Sequence, residues 1–392
     1  MNKEQSNEEK ISNIQLPLLC KRINQMIFKF HFLLMAILIS CFFIQLLYFF
    51  YFFLRLTFYQ SPNENEEDKP VSVIIAARNE CENLRNHLPK LLKQDYRNFE
   101  VIVVNDRSWD SSDEILNDFQ ENFKNLKVVT IPDMGKDEFS KKFALTLGIK
   151  AAQNNVLLFT DADCFPSSNK WIKKMTQSIS TEKMISIGAG PYEKEKGILN
   201  ALIRFDAVSI AIQYLSYALA GFPYMGVGRN LAYTKAIYNK VQGFKSHYHI
   251  SSGDDDLFIN QAANSKNTQI VFDEKSITYS LPKQSFSNWI KQKSRHLETN
   301  HLYNFKTKIL ISIFPISLIF LYLSCCALLV LGIEPFYIFS IIALRGFIQI
   351  ILFFRPLKIM GSKELVIFTP LLEFLLLIIY PFFYLNKFQN PS

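Results

Sequence analysis

Four long apolar runs at the two ends of the chain constrain its fold more than any other feature. Residues 32–54 and 309–333 contain no charged side chain, and residues 336–354 and 365–385 contain one each. A helix of about 20 apolar residues crosses the hydrocarbon core of a bilayer. The sequence therefore predicts four transmembrane helices around a polar central region.

Two other interpretations of these runs are weaker. Buried core helices of a large soluble protein can be equally apolar, but four such runs clustered at the two ends favour a membrane. The first run is too long for the apolar part of a signal peptide, and no A-x-A cleavage site follows it. We therefore expect residues 32–54 to be an uncleaved membrane anchor.

Charge and cysteine content narrow the class of partner. The net charge is +8, and Lys and Arg collect near the ends of the apolar runs, where they attract anionic lipid. We therefore expect a membrane as partner and no nucleic acid. The six cysteines include no C-x-x-C pair, so the sequence indicates neither a zinc site nor a disulfide framework.

The loops between the apolar runs predict the orientation. Glu334-Pro335 carries no basic side chain, whereas the next loop carries Arg355, Lys358 and Lys363. Because basic loops stay on the cytoplasmic side, this loop and the 55–308 domain are expected to be cytoplasmic. The N-terminal tail conflicts with this orientation, and its side stays open, because it carries Lys3, Lys10, Lys21, Arg22 and Lys29.

The last two apolar runs each contain a single charge. Arg345 and Glu373 lie at equal distances from the centre of the loop that joins these runs. A lone charge inside a bilayer usually pairs or faces a cavity, so we predict an ion pair between them. Contact of Arg345 with a lipid phosphate is one alternative, and a side chain that reaches the membrane interface is the other.

The central region alternates short apolar segments with helical ones. The predicted strands are 71–75, 99–104, 126–131 and 155–160, and the predicted helices are 79–92, 111–123 and 141–153. This alternation predicts an α/β fold with a mostly parallel sheet. Ligands of such sheets bind beyond the carboxyl ends of the strands, where Glu80, Asp106 and Asp161 lie.

Two acidic clusters are candidates for chemistry. Asp161 and Asp163 follow a buried strand, and such carboxylates can hold one Mg²⁺ or Mn²⁺ together with substrate phosphates. A D-x-D sequence alone is weak evidence, but its place at a strand end favours a metal site. In Asp254-Asp255-Asp256, mutual repulsion raises the pKa of at least one carboxyl, which could then accept a proton from a sugar hydroxyl. An acidic helix N-terminus is the alternative, especially for Asp256.

Two further segments have open alternatives. Arg295, in the segment from Gln292 to His296, could hold a diphosphate or an acceptor through bidentate hydrogen bonds, although a basic surface helix explains the same pattern. Residues 198–222 are apolar and aromatic. They are typical either of an interfacial helix on the bilayer or of a core helix.

Taken in order, the motifs of residues 70–300 resemble those of family 2 glycosyltransferases with the GT-A fold. The resemblance rests on V-S-V-I-I-A-A-R-N-E at 71–80, V-V-N-D-R-S-W-D at 103–110, K-K-F-A-L at 141–145, D-A-D at 161–163, D-D at 254–255 and Q-K-S-R-H at 292–296. The corresponding family patterns are V-S-V-I-I-P-x-x-N-E, V-V-D-D-x-S-x-D, K-x-x-A-L, D-x-D, the catalytic acidic pair and Q-x-x-R-W. The last motif is typical of the branch that includes cellulose and hyaluronan synthases and ceramide glucosyltransferase. Each motif is weak alone, but the ordered set is specific.

The resemblance implies a metal-dependent inverting glycosyltransferase that uses a nucleotide-diphosphate sugar, with a UDP-sugar as the first expectation. A lipid or lipid-linked saccharide is the expected acceptor, and the bacterial plasma membrane the expected location. The resemblance implies that Glu80 and Asp106 contact the nucleobase and that Lys141 contacts the donor. It implies that Asp161 and Asp163 bind ribose, metal and diphosphate, and that Asp255 is the general base. The residues implied on the acceptor and diphosphate side are Asp254, Gln292, Arg295 and His296.

The implied organisation follows the apolar runs. The expected segments are an N-terminal tail (1–31), transmembrane helices at 32–54, 309–333, 336–354 and 365–385, and a cytoplasmic GT-A catalytic domain at 55–308 with its core at 70–300.

Three positions depart from the family pattern. Ala76 replaces Pro, Asn105 replaces the first Asp of its motif, and His296 replaces Trp. Because that Trp supports the growing chain in polymer-forming members, His296 favours transfer of a single sugar. A processive polysaccharide synthase remains the first alternative, and a catalytically inactive membrane scaffold the second.

Overall fold

The computed structural model describes residues 25–26, 28–61, 69–132, 140–250, 252–332 and 335–389, with side chains to residue 386. Most of the expected N-terminal tail (1–31) lies outside these residues. The chain divides into two compact units, Met1–Tyr48 with Leu310–Phe347 and Phe49–Ile309 with Ile348–Ser392.

The helices confirm the α/β pattern and the apolar ends. In chain order they are α1 (Phe28–Thr57), α2 (Cys81–Leu92), α3 (Ser112–Asn122), α4 (Lys141–Ala151), α5 (Trp171–Thr176), α6 (Ile198–Leu219), α7 (Lys235–Lys240), α8 (Asp256–Ala262), α9 (Phe286–His296), α10 (Phe305–Val330), α11 (Pro335–Ile359) and α12 (Thr369–Gln389).

Five helices in the described part of the chain are long and apolar enough to cross a membrane, one more than the sequence predicts. Four overlap the four apolar runs, and three of these extend beyond their runs at both ends, whereas Phe305–Val330 is shifted toward the N-terminus. The fifth is α6, which differs from the others because 61% of its apolar window is buried by protein, against 28–33% for the other four. This burial supports the core-helix interpretation of residues 198–222 more than the interfacial one.

The strands form a mostly parallel sheet. They are β1 (Val71–Ala77), β2 (Phe99–Asp106), β3 (Leu126–Ile131), β4 (Val156–Phe159), β5 (Cys164–Pro166), β6 (Ile185–Ile187), β7 (Leu231–Thr234), β8 (Thr268–Ile270) and β9 (Thr278–Ser280). The order in the main sheet is β3-β2-β1-β4-β7-β6-β8, in which β7 is antiparallel to β4 and β6. Strand β5 pairs with β9 in a separate two-stranded sheet.

The register of the parallel strands brings their carboxyl ends to one edge. Ala77 lies beside Asn105, and Ile74 lies beside Phe159. The segments that follow β1, β2 and β4 therefore meet at this edge, as the sequence predicts. Helix α4 packs against β1. The two elements approach closely at Gly148, where an added Cβ would come within 2.7 Å of the Ile74 side chain. This close approach places the N-terminus of α4 near the same edge.

The unit that contains Met1–Tyr48 has a buried polar cluster among its apolar side chains. Arg345 donates from Nε and a terminal nitrogen to Oε1 of Gln45, at 3.1 and 2.7 Å. The Gln45 amide in turn donates to Ser317 at 2.7 Å and to the Phe314 carbonyl at 2.9 Å. Hydrogen bonds thus offset part of the cost of burying this guanidinium. The predicted pairing of Arg345 with Glu373 stays a prediction.

Candidate active site

Lys141 links the two acidic clusters that the sequence places far apart. It begins helix α4, and its Nζ lies 2.7 Å from Oδ1 of Asp161 and 3.2 Å from Oδ2 of Asp254. Enclosure by protein opposes its charge, but the two carboxylates raise the pKa of Lys141 well above its usual range. The D-x-D turn and the acidic segment of α8 therefore form one site around this ammonium.

The D-x-D turn offers oxygen ligands for a cation. Ligand atoms of Asp161, Asp163 and Cys164 all lie within 4.8 Å of one another. Burial and the nearby carboxylates raise the pKa of the Cys164 thiol well above its usual range, and its Sγ donates to Oδ1 of Asp163 at 3.2 Å. Because the thiol stays protonated, the available donors are carboxylate oxygens. This donor set fits Mg²⁺ or Mn²⁺.

Asp255 has the environment of a proton acceptor. It is the N-cap of α8, where its Oδ1 accepts the Asp256 N–H at 2.7 Å. Its Oδ2 accepts the Gly228 N–H, also at 2.7 Å. Burial, with the carboxylates of Asp254 and Asp256, raises the pKa of Asp255 to about 7. A carboxyl with this pKa can act as a general base near neutral pH.

Asp256, the third carboxylate of this segment, is buried and stabilises the start of helix α8. Its Oδ2 accepts hydrogen bonds from the Thr299 hydroxyl and, at 2.7 Å, from the Tyr303 hydroxyl. Its Oδ1 accepts the Leu257 N–H at 2.7 Å. Asp256 thus holds the start of α8 and the 299–303 segment together, in agreement with the structural interpretation of this residue.

Lys142 is a site residue that the sequence does not reveal. Its side chain is fully buried, and Nζ donates to three backbone carbonyls, of His247 at 2.6 Å, Ile250 at 2.8 Å and Ser252 at 2.6 Å. These carbonyls belong to the segment just before Gly253 and the acidic pair. The adjacent lysines of α4 therefore differ in role, because Lys141 contacts carboxylates and Lys142 fixes the backbone that leads to them.

The turns after β1 and β2 are joined by hydrogen bonds. The Asn79 N–H donates to Ser108 Oγ at 2.9 Å, and the Trp109 N–H donates to Asn79 Oδ1 at 2.9 Å. Asn79 adopts the left-handed conformation, with φ +56°, which Asn tolerates better than most residues. The two motifs of the proposed nucleobase pocket thus support one another.

The two residues expected to contact the nucleobase have protein partners. Glu80 lies beside this turn and accepts a 2.6 Å hydrogen bond from Asn83. Asp106 is buried, and its carboxylate accepts hydrogen bonds from Arg107 at 2.7 and 3.3 Å. Both residues lie at the predicted sheet edge, and their contact with a nucleobase stays a prediction.

Helix α9 brings the acceptor-side motif toward the D-x-D turn. Gln292 is half-buried, whereas Arg295 and His296 are reached by solvent. Protein packed around the ring, together with the cations of Lys293 and Arg295, lowers the pKa of His296 to about 3 although solvent reaches the side chain. The ring is therefore neutral at physiological pH.

The opposite face of α9 is fixed by buried polar contacts. Lys293 Nζ lies 2.7 Å from Oδ2 of Asp206 in α6, and both side chains are buried. The Tyr380 hydroxyl of α12 donates to Oδ1 of Asp206 at 2.8 Å. Ser294 Oγ donates to the carbonyl of Phe383 at 2.8 Å. The interpretation of this segment as a basic surface helix is therefore wrong for Lys293, which is an interior residue.

The family comparison covers part of this site. Residues 72–238 match the family model described as glycosyl transferase family 2. This part of the chain is therefore similar to the domain of family 2 glycosyltransferases. The matched range contains Glu80, Asp106, Lys141, Asp161 and Asp163, whereas the acidic pair and the motif of α9 lie beyond it.

Curated relatives include glycosyltransferases of archaea and bacteria. Glycosyltransferase AglE of Haloferax volcanii is 33% identical over 112 residues, which are 28% of this chain and 35% of that protein. Probable glycosyltransferase YdaM of Bacillus subtilis is 26% identical over 250 residues, 60% of this chain and 57% of that protein. Poly-beta-1,6-N-acetyl-D-glucosamine synthase of Staphylococcus epidermidis is 32% identical over 101 residues, 26% of this chain and 23% of that protein. This chain thus spans less than two thirds of the length of each of these relatives.

One solved structure resembles nearly the whole chain. Mannosyltransferase PcManGT from Pyrobaculum calidifontis, solved with GDP-Man and Mn²⁺, superposes with a TM-score of 0.54. The match covers 88% of this chain and 98% of that chain, at 15% sequence identity. At this identity the likeness concerns the fold, and it confirms the predicted GT-A architecture.

Proposed function

We propose that this protein is an inverting glycosyltransferase that moves a sugar from a nucleotide-diphosphate sugar to a lipid or lipid-linked acceptor at the membrane. The contact of Lys141 with both Asp161 and Asp254 carries the proposal, because it unites the D-x-D turn and the acidic pair in one cleft. The similarity to the family 2 domain and the glycosyltransferase names of the relatives support the reaction class.

Asp161 and Asp163 are the residues that would hold a Mg²⁺ or Mn²⁺ ion in the donor site. Such an ion, when bound to the donor diphosphate, offsets the negative charge of the leaving nucleoside diphosphate. The Mn²⁺ and GDP-Man of the mannosyltransferase PcManGT support a divalent metal and a nucleotide sugar. Lys141 offsets part of the negative charge of Asp161 and Asp254, so the cleft can accept an anionic donor at lower electrostatic cost.

Asp255 is the proposed general base. The acceptor oxygen forms a bond to the anomeric carbon, and the proton of its hydroxyl passes to the Asp255 carboxylate. The bond between the anomeric carbon and the diphosphate oxygen breaks, and the nucleoside diphosphate leaves with the electron pair. A single displacement of this kind inverts the anomeric configuration. The hydrogen bonds from Gly228 and Asp256 hold the carboxylate in place for this step.

The position of α9 supports an acceptor that is held at the membrane. This helix carries Gln292, Arg295 and His296, and it packs on α12, a candidate membrane span. An acceptor with a lipid anchor would then reach the cleft from the apolar helices. The basic loop near Lys358 supports a cytoplasmic catalytic domain, and a bacterial plasma membrane is the proposed location.

Transfer of radiolabel tests this function. Purified full-length protein in lipid vesicles prepared from bacterial membranes would be incubated with labelled UDP-sugars and GDP-sugars in the presence of MnCl₂. We expect label in the organic-solvent extract, as a product one sugar larger than the lipid. The Asp255→Asn protein is the control and should leave the label with the nucleotide. Absence of any labelled product with every donor would contradict the proposal.

A polysaccharide synthase is the second candidate. The similarity to the poly-beta-1,6-N-acetyl-D-glucosamine synthase of Staphylococcus epidermidis favours it, whereas His296 at the position of the family Trp favours a single transfer. The same labelling experiment separates the two, because a polymer stays at the origin of a gel. An inactive scaffold, the remaining alternative, would consume no donor.

A further inference from the structure

Arg229 lies in a turn whose backbone is fixed on both sides. The preceding Gly228 donates its N–H to the proposed base, Asp255. The following Asn230 is fully buried, and its amide donates to the carbonyls of Ala189 at 2.6 Å and Ser276 at 2.8 Å. The position of Arg229 beside the cleft is therefore set by the fold.

Tyr192 and Gly190 together orient the Arg229 side chain. Its guanidinium carbon lies 4.6 Å from the centroid of the Tyr192 ring. A Cβ on Gly190 would come within 2.7 Å of both Cγ and Nε of Arg229, so glycine makes room for the side chain. A guanidinium that stacks on an aromatic face keeps its N–H donors directed sideways, toward other ligands.

Arg229 differs from the interior cations Arg204 and Lys293, each of which pairs with a carboxylate. Arg204 lies 2.7 Å from a carboxylate oxygen of Glu364, and Lys293 lies 2.7 Å from one of Asp206. Among the residues that the structure describes, no carboxylate forms an ion pair with Arg229. Burial opposes the charge of Asp161 at the D-x-D turn, but Lys141 and, to a smaller extent, Arg229 lower the pKa of this carboxyl. A half-buried guanidinium at this edge of the cleft is therefore suited to receive an anion from solution.

We propose that Arg229 binds a phosphate group of a substrate in the cleft. This proposal rests on the function proposed above and names a residue outside the motifs that the sequence analysis identifies. The planar guanidinium can donate two parallel hydrogen bonds to phosphate oxygens. The phosphate can come from the donor diphosphate or from a phosphorylated lipid acceptor, and these sources are separated by experiment.

The test compares four full-length proteins in nanodiscs: wild type, Arg229→Gln, Arg229→Lys and Arg85→Gln. Arg85 is the matched control, because it is an exposed arginine that pairs with Glu82 at 3.0 Å. Calorimetry measures the binding of UDP and of GDP, each with MnCl₂. A second arm measures binding to a polyprenyl phosphate in the nanodisc, with the uncharged polyprenol as reference.

We expect Arg229→Gln to weaken the binding of one phosphate probe by about tenfold to a hundredfold, because charge-assisted hydrogen bonds are lost. Arg229→Lys should recover part of the loss, and Arg85→Gln should bind as wild type does. A loss confined to UDP or GDP assigns the phosphate to the donor, and a loss confined to the polyprenyl phosphate assigns it to the acceptor.

If Arg229→Gln does not fold, Gly190→Ala replaces it in the test. The added methyl group occupies the space of the Arg229 side chain and should weaken binding of the same probe. Unchanged binding of both phosphate probes by the folded variant, with a wild type that binds them, overturns this proposal and leaves the proposed function intact. A wild type that binds no probe contradicts both.

Discussion

Two charged regions of the same unit differ in how their charges are balanced. We call Lys141, Asp161, Asp163, Asp254 and Asp255 the strand-edge cleft, and Asp206, Lys293 and Tyr380 the helix junction. The cleft contains four carboxylates and one lysine, and solvent reaches the Lys141 and Asp161 side chains, which are 39% and 33% exposed. In the junction, one carboxylate pairs with one ammonium, and both are less than 10% exposed.

The difference separates groups that bind ligands from groups that hold the fold. A buried and paired charge costs little only while its partner is present, so the junction fixes α9 against α6 and α12. An excess of carboxylates in an open cleft is stable only with cations from solution or with raised pKa values. Substitutions in the cleft are therefore expected to lower the activity of the protein, and substitutions in the junction to lower its stability.

The largest expected effect is on turnover when the base is removed. Asp255→Asn should lower kcat by about 10²- to 10⁴-fold, because the acceptor proton has no carboxylate to receive it. Binding of the nucleoside diphosphate should stay near the wild-type value, since Asp255 does not belong to the D-x-D turn. Steady-state kinetics and calorimetry measure the two quantities. An active Asp255→Asn together with an inactive Asp254→Asn would assign the base to the neighbouring residue.

The second effect concerns the metal. Asp163→Ala should remove most of the metal-dependent donor binding, because one of the two proposed carboxylate ligands is lost. The melting temperature should change little, since the cleft is open to solvent. Calorimetric titration of GDP and UDP with and without MnCl₂ measures this, with Asp118→Ala, an exposed carboxylate of α3, as the control. Full wild-type activity in excess EDTA would exclude a metal role.

The third effect tests the helix junction. Lys293→Met should destabilise the protein by about 3–5 kcal/mol, because the Asp206 carboxylate remains buried without its cation. Asp206→Asn should also destabilise it, and the double variant should recover part of the loss. Unfolding in detergent, followed by tryptophan fluorescence, measures these values. If the single variants melt as wild type does, the junction does not hold α9.

The smallest effect is a dependence on pH. Because burial and the charges of Asp254 and Asp256 raise the pKa of Asp255 to about 7, its active, deprotonated form is lost as the pH falls. The value of kcat/KM should therefore fall by about tenfold per unit below pH 7 and level off above it. Lys141 faces the same carboxylate and stays charged over this range. A flat profile from pH 5 to pH 8 would contradict this assignment.

The sequence predicts the position of the D-x-D turn at the sheet edge because local rules place it there. Asp161 and Asp163 follow an apolar strand, and parallel strands end at a common edge, so their position follows from the strand pattern alone. Three adjacent carboxylates predict a raised pKa for at least one of them, and burial together with Asp254 and Asp256 raises that of Asp255. Only the structure distinguishes Asp255 from Asp256, whose oxygens accept hydrogen bonds from Thr299 and Tyr303.

The missed residues depend on contacts between distant segments. Lys142 has the same local sequence context as Lys141, and only the path of the 247–252 backbone decides that its ammonium is enclosed. Lys293 follows Gln292 in an apparently basic helix, and its partner Asp206 comes from an apolar helix far away in the chain. No periodic pattern contains this information, because side-chain burial here is set by how whole helices pack.

Release of nucleoside diphosphate tests the central claim most directly. Wild type and Asp255→Asn would be purified at full length and mixed with UDP-sugars and GDP-sugars, MnCl₂ and a membrane lipid extract. The account predicts nucleoside diphosphate release by wild type from at least one donor, dependent on MnCl₂ and on the extract, and almost none by Asp255→Asn. Equal release by the two proteins, or none from any donor by wild type, would contradict the claim that the strand-edge cleft transfers sugars.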